Sequence, residues 1–162
     1  QFIHLDTDER TVLSSQPQNM LVTQTQKSIA SASKIQELNF NHPIKCLVAE
    51  ETRDATTKLK LQINGTDVAD YKTIIPHFTS VPIYYHTSAG VVSSATKTTD
   101  NLTLIPFCLD TSKLQPTGSL NFSRLDSARI VSDKDDFAKD VYAVNYNILR
   151  IENGMGGLMY SN

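Results

Sequence analysis

Apolar and polar positions alternate with a period of two along much of this chain, and the alternation is longest between Val141 and Ile151. There Tyr142, Val144, Tyr146 and Ile148 fall on one face of an extended strand. Val141, Ala143, Leu149 and Ile151 fall on the other, with Asn145 and Asn147 between them. A run that is apolar on one side and half-apolar on the other predicts a central strand of a sandwich. Gly154, Gly156 and Gly157 are expected to bend the chain, because glycine takes positive φ at little cost. Leu158, Met159 and Tyr160 then return as a short final strand.

The same reading applied from the start of the chain gives a short strand at Phe2 to Leu5. Asp6 follows, with Glu9 three residues on, the spacing of a capping box, so a brief helix is expected to about Leu13 or Ser14 before Pro17 stops it. Met20 to Gln26 alternates loosely as a strand, and Lys27 to Ser33 reads as a loop. In Leu38 to Val48, Ile44, Cys46 and Val48 share one face, and Pro43 marks where ladder bonding begins. Thr57 to Ile63 alternates cleanly, with Leu59, Leu61 and Ile63 on one face and Lys58, Lys60 and Gln62 on the other. Asn64-Gly65 is a turn signal, though the stretch after it, Asp67 to Tyr71, is a poor strand. Short apolar groups at Ile74-Ile75-Pro76 and Val81 to Tyr85 precede an exposed Ser/Thr-rich loop from Thr87 to Asn101. Leu102 to Leu109, Leu120 with Phe122, and Ala128 to Val131 are further strands, and Asp133 to Asp140 is a charged turn.

About eight to ten short strands with no repeated helical pattern between them exclude parallel βαβ units and predict an all-β sandwich. Irregular loops and the absence of Trp favour a jelly roll over an immunoglobulin-like domain. The 162 residues suffice for one domain, taken as 1–162, with a core of its own. The abrupt start inside Phe2-Ile3-His4-Leu5 suggests a piece of a longer protein, and no basic segment of a secretory signal precedes it. A net charge of −2 and a pI near 6.1 argue against a basic face for nucleic acid or anionic membrane. No apolar run approaches the ~20 residues that span a bilayer.

Chemistry finds little support. His4, His42, His77 and His86 include no His-x-His pair, and three convergent ligands are needed to hold a divalent ion. Ser119 and Ser123 lie outside any Gly-x-Ser-x-Gly elbow. Asp133, Asp135 and Asp136 lack the Gly and Glu of a calcium loop, and Gly154 to Gly157 is not followed by the Lys of a phosphate loop. Cys46 and Cys108 read as two buried thiols more readily than as a disulfide. Sequons stand at Asn64, Asn101 and Asn121, and they matter only in a secretory pathway. No catalytic, cofactor-binding or metal-binding residue is therefore assigned.

Four runs in order carry a resemblance: LNFNHPIKCLV (Leu38 to Val48), LQINGTD (Leu61 to Asp67), QPTGSLNFSRLDSARI (Gln115 to Ile130) and VYAVNYNILRIENGMGGLMYSN (Val141 to Asn162). They resemble the major capsid protein of the nucleocytoplasmic large DNA viruses, and FIHLDTDER is similar to the strand and helix that begin that family's second jelly roll. The resemblance implies an eight-stranded antiparallel jelly-roll sandwich with short helical insertions, the C-terminal of two in tandem. It further implies a homotrimer of pseudo-hexameric outline that tiles an icosahedral outer shell in the virion. Such a protein is assembled in the infected cell's cytoplasm, meets minor capsid proteins, and reaches an inner membrane only through them. It touches no nucleic acid, needs no cofactor, and is not an enzyme. Tyr71 to Asp100 corresponds to a variable surface loop. Phe122, Tyr142, Val144, Tyr146, Ile148, Leu149 and Ile151 are expected to be mostly core. Arg124, Asp126, Arg129 and Arg150 serve either in domain–domain or trimer ion pairs or as ordinary surface charge, and Asn121 and Asn147 are expected to bond buried backbone at turns. A carbohydrate-binding module is the alternative, with Tyr84 and Tyr85 as its available aromatic platform.

Overall fold

The computed structural model describes residues 3–50, 56–88, 102–134 and 139–160. Asp6 caps a helix α1 (Thr7–Ser15), its carboxylate accepting from the Glu9 amide at 2.8 Å. Acidic Asp8 and Glu9 in the first turn suit the positive end of the helix dipole. The helix buries none of its residues. Before it, Ile3 to Asp6 is irregular rather than a strand, because no neighbouring strand pairs with it and Ile3 stands in solvent; Phe2 lies outside the described residues.

Eleven strands follow among the described residues, several of them too short to show a period. They are β1 (Gln18–Ser28), β2 (Ile35–Glu37), β3 (Pro43–Glu50), β4 (Lys58–Ile63), β5 (Thr66–Asp67), β6 (Lys72–Thr73), β7 (Leu102–Pro106), β8 (Leu120–Asn121), β9 (Ala128–Ser132), β10 (Val141–Glu152) and β11 (Met155–Leu158). One sheet runs β1-β10-β3-β7, with β11 on β10 and β8 on β3; the other runs β2-β9-β4-β5, with β6 on β4. All pairings are antiparallel, and the chain changes sheet repeatedly, at β1–β2, β2–β3, β3–β4, β6–β7, β8–β9 and β9–β10. The result is the expected jelly-roll sandwich. Short helices α2 (Ile74–His77) and α3 (Ser80–His86) are built from the two apolar groups of that region. Most of the exposed loop expected from Thr87 to Asn101 lies outside the described residues.

Two-residue turns close two hairpins. Asn64-Gly65 joins β4 to β5 and Asn153-Gly154 joins β10 to β11, with φ of 51° and 77° in each, the positive values a primed turn requires. Asn64-Gly65 therefore does close a hairpin, although its second strand has only two residues. At the C-terminal end the return strand is Met155–Leu158 rather than Leu158 to Tyr160. The turn falls at Asn153-Gly154, leaving Gly156 and Gly157 inside the strand opposite Ile151 and Arg150.

The core lies between the sheets and is built from Ile44, Leu47 and Ala49 of β3, Leu59 and Leu61 of β4, Ile130 of β9, and Val141 and Ala143 of β10, with Phe40 and Phe122 packed edge to face. The clean alternation expected for β4 is what the core uses. In β3 it is interrupted: Val144 pairs with Cys46 but Asn145 with Ile44, so Lys45 is the extra residue of a bulge. That insertion turns Ile44 inward with Leu47, while Cys46 and Val48 face out, so the three do not share a face.

Candidate assembly surface

The longest strand, β10, determines which surfaces need covering. Its core-facing side is Val141, Ala143, Asn145 and Asn147, and the bulkier set Tyr142, Val144, Tyr146 and Ile148 looks away from the sandwich. The expectation that this second set is core fails: Tyr146 is buried, but on the outer face, and Tyr142 is 39% exposed. On the inner face Val141 and Ala143 join the core cluster that also holds Leu47, Leu59 and Ile130. Phe122 is core as expected, while Ile148, Leu149 and Ile151 are half-buried.

Register extends the outer face across the sheet. Leu21 of β1 stands opposite Ile148, Leu104 of β7 opposite Val48, and Pro106 opposite Cys46. Leu21 is 49% exposed and Leu102 40%, so the middle of this face is apolar and its margin is open. Beyond Asn145, β10 leaves β3 and runs on with β1 as far as Gln18 opposite Ile151. On this projecting ribbon Met20, Leu158, Met159 and Tyr160 stay about half exposed, and α1 adds Val12 and Leu13, also open to solvent. Met20 and Leu158 both stand opposite Leu149, so they lie on the other side of the ribbon from Leu21 and Ile148, and apolar side chains are open on both of its faces.

Asn147 fixes the ribbon's last segment. Its Nδ2 donates to Gln24 Oε1 at 2.9 Å and to the Tyr160 carbonyl at 2.8 Å, and its Oδ1 accepts from the Tyr160 amide at 3.2 Å and from Ile148 at 2.8 Å. One buried amide thus pairs with Tyr160 as a strand would. The Tyr160 ring then lies 6.0 Å from that of His42. Asn121 plays the other role expected of it, accepting from Ser123 N at 3.1 Å to cap a 3-10 turn over Phe122–Arg124.

On the outer face Cys46 and Tyr146 form, with Cys108 and Lys45, a small group of buried titratable side chains. Burial pushes the Cys46 thiol up to about 11, with Cys108 adding to the shift and the Lys45 ammonium opposing it. Burial likewise raises Cys108, against a hydrogen bond from Thr117. Tyr146 is raised by burial and then by both thiols, and the Lys45 ammonium stands 5.7 Å from its ring. Both cysteines are free, as the sequence suggested. At the edge of the sheet Lys27 pairs with Asp140 at 2.6 Å, and Asp140 also accepts from Ala30 N.

The remaining candidate residues are not brought together. His42 is buried beside Tyr160, His77 bonds Thr73, His86 bonds the Cys108 carbonyl, and His4 lies in the exposed segment before α1. Among the described residues no group of three or more His, Cys, Asp or Glu could hold a metal ion. Ser123 accepts from His42 N, Ser119 is in solvent, and Asp133 caps Lys58 N; Asp135 and Asp136 lie outside the described residues. Arg129 pairs with Glu37 and Arg150 with Glu152, exposed pairs worth little. Tyr84 and Tyr85 are exposed but meet at 87°, which gives no flat platform for a sugar ring. Of the sequons, Asn64 turns its Oδ1 to two backbone amides and Asn101 lies outside the described residues.

Known proteins share this architecture. Residues 48–157 match the sequence profile of a family described as large eukaryotic DNA virus major capsid protein. The chain is 36% identical to the major capsid protein of Pyramimonas orientalis virus, over 99% of this chain and 48% of that protein. It is 28% identical to the major capsid protein of Paramecium bursaria Chlorella virus 1, over 99% of this chain and 53% of that one. The solved PBCV-1 virus capsid superposes on 98% of the chain with a TM-score of 0.75 at 25% identity, this chain covering 55% of that one. The chain spans about half the length of the curated relatives it matches.

Proposed function

The chain belongs to the large eukaryotic DNA virus major capsid protein family, and from that premise we propose that it is the C-terminal of two tandem jelly rolls in a protein whose trimers tile a virion shell. The observation that carries this reading is the orientation of β10, whose bulkiest apolar side chains face away from the domain's own core. A domain that worked alone would place Tyr142, Tyr146 and Ile148 inward and Asn145 and Asn147 outward. Here Tyr146, Cys46 and Leu104 of the second apolar face are already buried, and its margin at Leu21, Leu102 and Tyr142 stays open to another layer of protein.

The physical demands of a shell fit the fold. A tile must be rigid, and it must not present long open sheet edges that would pair at random. Wrapping strands into two sheets and covering β10 on both sides with β1, β3 and β11 meets both demands. Association then draws on apolar area repeated by symmetry, each large side chain that becomes fully buried contributing about 1.5–3 kcal/mol. The near-neutral charge of −2 leaves packing, rather than attraction to nucleic acid, as the source of affinity. In this reading the tandem jelly roll and neighbouring copies cover the outer face and the projecting ribbon, minor capsid proteins contact the margins, and the protein resides in the outer capsid. It carries no catalysis.

The test is the mass of the protein extended to the full length of its relatives, by light scattering, followed by negative-stain imaging. Stable trimers of hexagonal outline are expected. A monomer that persists at high concentration would overturn the assembly reading.

A further inference from the structure

We propose that Asn153 is a site of spontaneous covalent modification, at which the side-chain amide is lost to attack by the Gly154 backbone nitrogen. The Gly154 N–Cγ bond forms as the Cγ–Nδ2 bond breaks, and ammonia leaves with the proton that the nitrogen gives up. The cyclic imide that results adds water across one of its two C–N bonds. Opening at Cγ gives aspartate, and opening at the main-chain carbonyl gives isoaspartate. No oxidant, metal or enzyme takes part.

Asn-Gly is the dipeptide most open to this chemistry because no side chain on the second residue shields its nitrogen. The chain holds two, and they form a matched pair. Asn64-Gly65 and Asn153-Gly154 both occupy two-residue hairpin turns, both have φ of 51° and 77°, and neither glycine has any atom near where a Cβ would stand. Both asparagines are exposed. Backbone conformation and access therefore cancel in the comparison.

What differs is the asparagine side chain. Asn64 Oδ1 accepts from the amides of Asp126 at 2.9 Å and Ser127 at 3.2 Å, while its own N–H donates to the Ser127 carbonyl at 2.8 Å. Turning Cγ toward the Gly65 nitrogen breaks the first two of these. The Asn153 side chain makes no hydrogen bond among the described residues and turns freely. Each net hydrogen bond is a factor of about five in an equilibrium, so the bonded site is expected to react at least roughly tenfold more slowly.

The consequence is local and directional. Aspartate adds a second carboxylate beside Glu152, whose charge is already engaged by Arg150 at 2.9 Å. Isoaspartate adds a backbone bond to a two-residue turn, and the turn sets the register Glu152 opposite Met155. Either product marks the tip of the β10–β11 hairpin, and β4–β5 stays unmarked. The inference does not depend on the assembly reading.

Ageing the full chain in mildly alkaline buffer, then digesting it and weighing the peptides, follows both sites at once; enzymatic methylation of isoaspartate identifies the product. The expected result is conversion at Asn153 roughly tenfold or more ahead of Asn64 in the folded chain. The same sample in denaturant should show the two rates converging. Equal or faster conversion at Asn64 in the folded chain would overturn the proposal. So would an Asn153 that stays intact when folded but converts when unfolded.

Discussion

Replacing Asn147 by Ala removes a buried amide that ties three separate parts of the chain together. Three of its bonds, to Gln24 Oε1 and to both backbone groups of Tyr160, reach groups distant in sequence. At about 1 kcal/mol net for each, the loss is about 3 kcal/mol, a large share of the ~5–15 kcal/mol of a typical domain. With a urea slope of about 2 kcal/mol/M, the midpoint falls by about 1.5 M. The chain has no Trp, so far-UV circular dichroism is the suitable probe. Asn145 is the internal control. It is fully buried on the same face, yet among the described residues its side chain makes only a long 3.3 Å contact from Nδ2 to the Tyr146 carbonyl, and its Oδ1 has no partner. Asn145→Ala is therefore expected to cost about 1 kcal/mol or less, since it also removes an unpaired buried oxygen. Hydrogen exchange adds a residue-specific readout, because the Tyr160 amide should lose protection in Asn147→Ala and keep it in Asn145→Ala. Equal costs for the two substitutions, or a Tyr160 amide indifferent to both, would refute the reasoning.

Three further outcomes follow from the same structure. Cys46 ionises at its ordinary value near 9.0 when unfolded and at about 11 when folded, so its contribution to stability is level below pH 9 and falls between those values; Cys46→Ser should flatten that alkaline decline in a pH series of urea melts. Asp140 is held below the ordinary carboxylate range by Lys27 and by the Ala30 amide, so its contribution is full above that range and disappears as pH falls through the folded value. Melting temperatures of wild type and Asp140→Asn should accordingly differ at neutral pH and converge in acid. Gly118 has φ of +139°, and a Cβ there would meet the Phe107 carbonyl at 3.1 Å and Cys108 Cα at 3.3 Å; Gly118→Ala should cost about 1–3 kcal/mol in the same urea assay.

Much of the fold was legible because its signals are local. The Asp6–Glu9 spacing set α1, the Leu59, Leu61 and Ile63 alternation set β4, and Asn64-Gly65 set its turn. Short pieces such as β2 and β6 were invisible, since two or three residues hold no period and only their neighbours make them strands. The Lys45 bulge was also hidden: one strand's pattern cannot tell that its partner skips a residue, and the skip reversed the faces of Ile44 and Cys46. The most informative failure is β10. Hydrophobicity reports that a side chain will be covered, and not by which layer. In β10 the bulkier side chains lie on the face turned away from the core cluster, where a period of two alone does not place them. No local pattern announced Asn147 as the anchor of Tyr160, because its partners meet it only through the β10–β11 return.

The central claim is that the outer face of the β1-β10-β3-β7 sheet is built to be covered by other protein. Leu21 tests it most directly, lying opposite Ile148 on that face and 49% exposed in this domain. Leu21→Asp should leave the domain's own melt within about 0.5 kcal/mol of wild type, as for other surface substitutions. In the full-length protein the same change should abolish trimers in light scattering or release the tandem jelly roll to rapid proteolysis. Unaltered trimers with unaltered protease resistance would contradict the account.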